Sequence, residues 1–120
     1  MPTQQDTLRD RSKQFAILVV KLFKSLPKSD EARIIGKQLL RSATSVAANY
    51  RAAGRSRSRA EFISKMGIVV EEADETVFWL ELLIEADVVE EKRVEPLLSE
   101  ANELLAIFAA SQRTAKANRN

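Results

Sequence analysis

Apolar and small residues recur at alternating steps of three and four along most of the chain, which is the spacing of a helix in a bundle. The first such seam consists of Leu8, Ser12, Phe15, Val19, Leu22 and Leu26. Pro27 follows it, and a proline cannot donate a backbone hydrogen bond and disfavours helix in the preceding residue. The pattern therefore predicts a first helix over about residues 7–26.

A second helix is predicted over residues 30–53, beginning where Ser29 or Asp30 offers a side-chain cap to the free amides of the first turn. Its inward stripe is rich in small residues and consists of Ile35, Leu39, Ser42, Val46, Asn49 and Ala53. Because small residues let two helices approach closely, we expect a tight contact with a neighbouring helix.

The run Ser58-Arg59-Ala60-Glu61 matches the capping box, so the third helix is predicted over about residues 59–86. Its apolar stripe consists of Phe62, Met66, Val69, Ala73, Val77, Leu80 and Ile84. Further apolar residues lie outside this stripe, namely Ile63, Val70, Phe78, Trp79, Leu82 and Leu83. This surface is wider than one bundle seam requires, so we expect part of it to cover a second subunit.

The apolar spacing predicts a fourth helix over about residues 91–112, and the polar tail 113–120 is expected to be disordered. Short links join all four helices, which favours neighbours that run alternately up and down. We therefore expect a single all-α domain over residues 1–120, an antiparallel up-and-down four-helix bundle.

Composition excludes several classes of function. The chain has no cysteine and no histidine, so thiolate metal sites, cysteine nucleophiles and the commonest general base are absent. The N-terminus lacks the pattern of a secretory signal, and no apolar run approaches the roughly 18 residues of a membrane span. We expect a cytoplasmic protein that is not an enzyme and that uses no metal or other cofactor.

Charge is segregated along the chain. Between residues 37 and 65 there are seven basic residues and one acid, whereas between residues 71 and 103 there are twelve acids and two basic residues. Arginine forks fit phosphate oxygens two at a time, so the basic stretch contains candidate nucleic-acid contacts. These candidates are Arg51, Arg55, Arg57, Arg59 and Lys65. The alternative is a solvated basic corner, or arginines that pair with acids of a neighbouring subunit.

Four polar residues fall close to the inward stripes of the second and third helices, namely Arg41, Asn49, Glu72 and Thr76. The candidate buried or interface network consists of Arg41, Asn49, Glu72 and Glu75. A buried charge requires a partner, so we expect Arg41 to pair with Glu72 or Glu75, in the same chain or in the next.

Four stretches of the second and third helices form a recognisable set. They are residues 38–53 (QLLRSATSVAANYRAA), 58–68 (SRAEFISKMGI), 72–76 (EADET) and 79–83 (WLELL). This set resembles the bacterial four helix bundle protein family, also called the 23S rRNA intervening-sequence protein family. The chain departs from many members at residues 51–54, where it has RAAG instead of an alanine, a glutamate and a glycine after the tyrosine. The departure adds positive charge to the junction between the second and third helices, over residues 51–59, which we call the basic corner.

The resemblance implies an antiparallel four-helix bundle that assembles into a cyclic homo-oligomer, specifically a pentamer. Some members are encoded within insertions in ribosomal RNA genes, and similar proteins serve as basic accessory subunits of reverse transcriptases. It therefore implies a role with RNA or another nucleic acid.

Three functions follow from these observations. The first is an oligomer that binds RNA or another nucleic acid through its basic corner, and the second is a structural or protein-interaction ring without nucleic acid. The third is a magnesium-dependent hydrolase or nuclease that uses Glu72, Asp74 and Glu75, which would require carboxylates that converge in a cleft.

Overall fold

The computed structural model describes residues 1–118 and contains four helices. They are α1 (Gln4–Lys24), α2 (Asp30–Ala53), α3 (Arg59–Glu85) and α4 (Glu91–Ala117). No strand occurs among these described residues, and the predicted all-α class is confirmed.

Contacts between the helices show that successive helices run antiparallel. Gly36 of α2 lies against Phe23 of α1, near the loop that joins the two helices. Thr76 of α3 contacts Ser42 of α2, and Gln112 of α4 contacts Ile63 of α3. Ion pairs from Arg11 to Glu100 and Glu103 then join α1 to α4, so the four helices surround one core.

Hydroxyl side chains cap the first three helices. The Ser29 hydroxyl accepts a hydrogen bond from the Ala32 amide of α2, and the Ser58 hydroxyl accepts one from the Glu61 amide of α3. Thr3 and Asp6 form a reciprocal capping box at the start of α1. Because of this box, α1 begins at Gln4, three residues before the predicted start.

Helix α4 is longer than predicted. It continues to Ala117, so the expectation of disorder is wrong for residues 113–117. The guanidinium of Arg59 donates a hydrogen bond to the carbonyl of Asn118. The bond gives a partner to a carbonyl at the C-terminal end of α4 and places a positive charge beside the negative end of the helix dipole. Residues 119 and 120 of the predicted tail lie outside the described residues.

The core extends to the basic end of the molecule. Its fully buried side chains include Val19, Leu39, Met66, Leu80 and Phe108, and burial of each contributes roughly 1.5–3 kcal/mol relative to exposure. Tyr50 is 3% exposed, and its ring centroid lies 5.0 Å from that of Phe108. This aromatic pair anchors the last turn of α2, from which the loop to α3 departs.

Candidate nucleic-acid interface

A groove between α1 and α2 collects four of the molecule's basic side chains. Arg9 and Lys13 line it from α1, Arg51 lines it from the last turn of α2, and Arg55 lines it from the following loop. The groove has a volume of about 430 Å³. We call it the α1–α2 groove.

The floor of the α1–α2 groove is made of short side chains, namely Ala16, Thr44, Ala47 and Ala48. Their small size leaves a hollow between the two helices. The hydroxyl of Thr44 lies 2.8 Å from the Leu40 carbonyl and 3.1 Å from the Arg41 carbonyl of its own helix, so it is already engaged with the backbone.

A second, smaller recess adjoins the groove at the end of the molecule. It has a volume of about 140 Å³ and shares Arg9, Arg51 and Arg55 with the groove. Gly54 also borders it, and a Cβ on this residue would lie 3.3 Å from the Gln5 side chain, so the backbone approaches α1 closely. The three shared arginines therefore lie along a path that continues from the groove over the end of α2.

Most of the groove's cations have no intramolecular partner. Within residues 1–118, no ion pair or side-chain hydrogen bond involves Lys13, Arg51 or Arg55. Arg9 contacts the carboxylates of Asp6 at 3.2 Å and Asp10 at 3.3 Å. These two pairs are exposed to solvent, and exposed ion pairs contribute little to stability. The guanidinium of Arg9 can therefore exchange these partners for a ligand at little cost.

The five predicted nucleic-acid contacts do not all lie on the same surface of the molecule. Arg51 and Arg55 lie together on the α1–α2 groove. Arg59 lies outside the groove, where it bonds the end of α4 and lines a different recess with Phe62 and Ile107. Lys65 lies on α3, six residues after Arg59, and is half-buried. Arg57 is exposed in the loop between α2 and α3. Neither residue lines the groove.

The division follows from which helices are neighbours. Arg51 ends α2, which packs on α1, whereas Arg59 begins α3, which packs on α4. Arg9 and Lys13 were not among the predicted contacts because they lie about forty residues before Arg51 in the chain. Only the antiparallel pairing of α1 with α2 brings them to the groove.

The predicted polar network forms around Arg41, at the rim of the bundle rather than in its core. The guanidinium of Arg41 donates to the carboxylate of Glu72 at 3.1 Å and to that of Glu75. Its side chain is 50% exposed, compared with 15% for Glu72. The indole N–H of Trp79 also donates to Glu75, at 3.2 Å. The hydrogen bond from Arg41 is the main reason why the pKa of Glu75 lies below its ordinary value.

Asn49 does not belong to this network. Its amide donates to the backbone and side-chain oxygens of Ser45, one turn earlier on the same helix, at 2.9 Å each. The buried polar contact between α2 and α3 is instead made by Ser42 and Thr76, whose hydroxyl oxygens lie 2.9 Å apart. Ser42 lies on the predicted inward stripe of α2 and Thr76 was predicted to lie close to that of α3, but neither was among the four network candidates.

The acids of α3 do not converge as a divalent metal site requires. Both Glu72 and Glu75 face Arg41, and Asp74 is exposed. Over the described part of the chain, no group of three or more histidine, cysteine, aspartate or glutamate side chains could hold a metal ion. In the same part of the chain, no helix combines the length and the hydropathy that crossing a membrane requires.

Comparison with known proteins identifies the family to which the chain is similar and a similar crystal structure. The model of the family described as 23S rRNA-intervening sequence protein matches residues 5–110. A crystal structure from Bacteroides thetaiotaomicron, of a protein with unknown function from the S23 ribosomal protein family, is 34% identical in sequence. It superposes with a TM-score of 0.84, and the match covers 92% of this chain and 99% of that one. No curated protein matches the chain.

Proposed function

Because the chain belongs to the 23S rRNA-intervening sequence protein family, we propose that it is a non-enzymatic protein that binds RNA as a homo-oligomer, and specifically as a pentamer. The observation that carries the proposal is the α1–α2 groove, which gathers four cations with short side chains between them. Basic side chains that neutralise phosphates release condensed counterions, and this release drives binding to nucleic acid of any sequence.

The wider charge distribution supports the same face for an anionic ligand. Residues 4–53 carry ten basic and four acidic residues, whereas residues 59–117 carry six basic and thirteen acidic residues. The α1–α2 hairpin is thus cationic and the α3–α4 hairpin anionic. Such a field directs a polyanion to the α1–α2 side of the molecule and away from the other.

Helix α3 supplies the surface for assembly. Ile68 and Phe78 of this helix are 45% and 52% exposed. The Phe78 ring packs edge-on against Trp79, with centroids 4.8 Å apart, and Trp79 is in turn hydrogen-bonded to Glu75. An exposed aromatic residue on such a rigid support is typical of contact surfaces between proteins. A ring would repeat the α1–α2 groove in each copy and raise the avidity for a long RNA.

The first test is size-exclusion chromatography with light scattering on untagged protein purified at low salt, with absorbance recorded at 260 and 280 nm. We expect a mass near five subunits and excess absorbance at 260 nm that ribonuclease removes. If about four cations contact single-stranded RNA, the log–log salt slope should be near −3 per subunit. Binding that does not change with salt would contradict the proposal.

A second test reverses the charge of the groove. The double variant Arg51→Glu with Arg55→Glu should lower RNA affinity at least tenfold, because two phosphate contacts become repulsive. The matched control is Arg33→Glu with Lys37→Glu, which makes the same charge change on α2 outside the groove. Equal losses in the two double variants would show that net charge, and not the groove, determines binding.

The charge segregation also favours one alternative, a scaffold ring in which the cationic hairpin of each copy contacts the anionic hairpin of the next. Such a ring would carry no nucleic acid. The same double variant distinguishes the two functions. In a scaffold ring it should reduce the mass of the assembly, whereas in an RNA-binding ring it should remove the RNA and leave the mass of the protein assembly unchanged.

A further inference from the structure

The α1–α2 groove has cations on both of its walls. Arg9 and Lys13 stand on the α1 side, and Arg51 and Arg55 stand on the α2 side. A linear polyanion that lies in the groove therefore meets positive charge from two directions. This arrangement differs from a flat basic face, on which the cations approach a ligand from one side only.

The short floor residues decide how deeply a ligand can enter. Ala16, Ala47 and Ala48 leave the space between the helices open, whereas longer side chains at these positions would fill it. The neighbouring recess, which shares three of the arginines, extends the path beyond the end of α2. The concavity is thus cationic along its edges and continuous toward the end of α2.

From these features we infer that the α1–α2 groove holds the sugar–phosphate backbone of single-stranded RNA, with Arg9 and Lys13 as phosphate contacts opposite Arg51 and Arg55. This inference rests on the proposed function and identifies the form of RNA and the residues that bind it. A duplex has a broad convex surface that would touch the rims of the groove without entering it. A single backbone is narrow enough to lie between the two walls.

The residues that line the groove also indicate that it does not distinguish one RNA base from another. Among the described residues no aromatic side chain lines the groove, and Tyr50, which borders the adjoining recess, is 3% exposed, so there is no platform on which bases could stack. The Thr44 hydroxyl is engaged with its own helix, and within residues 1–118 Asp10 is the one acidic side chain that lines the groove itself. Binding should therefore depend on the backbone, and oligo(U) and oligo(C) of equal length should bind within about twofold of each other.

The test is fluorescence anisotropy with labelled oligo(U) of about 12 nucleotides, a length within the range that single-strand sites occupy. Lys13→Gln should weaken binding at least threefold, whereas Lys37→Gln, with the same charge change on the same hairpin outside the groove, should not. Asp10→Asn should strengthen binding about twofold, because it removes a negative charge from the lining of the groove.

A variant without charge change tests the groove itself. Ala48 is exposed, so Ala48→Leu should fill the floor without disturbing the core and weaken binding at least threefold. The control is Ala106→Leu, which places the same side chain on an exposed position of α4. Thermal unfolding of all variants should match that of the unmodified protein.

The outcomes separate the two claims. If the unmodified protein binds no RNA, the proposed function fails and the inference fails with it. If the protein binds RNA but Lys13→Gln and Ala48→Leu behave like their controls, the inference alone is overturned, since the contacts then lie elsewhere. Tighter binding of a duplex than of the single strand would likewise overturn the assignment of the groove.

Discussion

At the scale of single residues, the ion pair between Arg11 and Glu100 predicts how stability depends on pH. Both contacts of this bidentate pair are 2.7 Å long, and the two side chains are 30% and 29% exposed. The hydrogen bonds from Arg11 lower the pKa of Glu100. A lowered carboxyl pKa contributes stability above its unfolded value of about 4.3, and the contribution is lost as the pH falls through the folded value. Glu100→Gln should therefore lower the free energy of unfolding by about 1 kcal/mol at pH 7.

Urea denaturation at a series of pH values measures this effect. The difference between Glu100→Gln and the unmodified protein should shrink as the pH decreases from about 5. Glu95→Gln, an exposed position on the same helix, should leave stability within about 0.5 kcal/mol at every pH. A Glu100→Gln deficit that persisted at low pH would mean that packing, and not charge, holds α1 to α4.

Which residues of the groove could be predicted depends on their distance along the chain. Arg51 and Arg55 were predicted because their local density in the sequence is high. Arg9 and Lys13 carry no local signal, and they become neighbours of Arg51 only when α1 folds back on α2. Arg59 has the same local signal as Arg55, but the start of α3 directs it toward α4. Local charge density in the sequence therefore identifies a basic segment of the chain. Which of its arginines line the same groove is decided by the pairing of the helices.

At the scale of helices, the Ser58 cap should contribute measurably to stability. Its hydroxyl accepts a hydrogen bond from the Glu61 amide at 3.1 Å, and loss of a serine cap costs about 1 kcal/mol. Ser58→Ala should therefore lower the melting temperature by several degrees. Ser64→Ala makes the same change at an exposed interior position of α3 and should have little effect. Equal melting temperatures for the two variants would contradict a capping role.

The ends of the helices were predicted to different degrees. The starts of α2, α3 and α4 agree with prediction, since Ser29 and Ser58 are strong local caps for the first two. The start of α1 was missed although Thr3 and Asp6 have the spacing of a capping box. The end of α4 could not be predicted locally, because residues 113–117 have no apolar seam and their end is held by Arg59, which is remote in sequence.

At the scale of the whole molecule, the exposed Phe78 of α3 should determine assembly. Of the other apolar residues predicted outside the α3 stripe, Ile63 and Leu83 are buried in the chain's own core. Phe78→Ser removes an exposed aromatic ring, so it should leave the fold unchanged and reduce the mass of the oligomer toward one subunit. Leu18→Ser, on α1, is the control, because Leu18 is also apolar and 41% exposed but lies outside the α3 surface. Light scattering at matched concentration measures the mass of each variant. If Phe78→Ser retains the full mass while Leu18→Ser loses it, the copies meet through α1, and the cationic hairpin that carries the groove is then itself part of the contact.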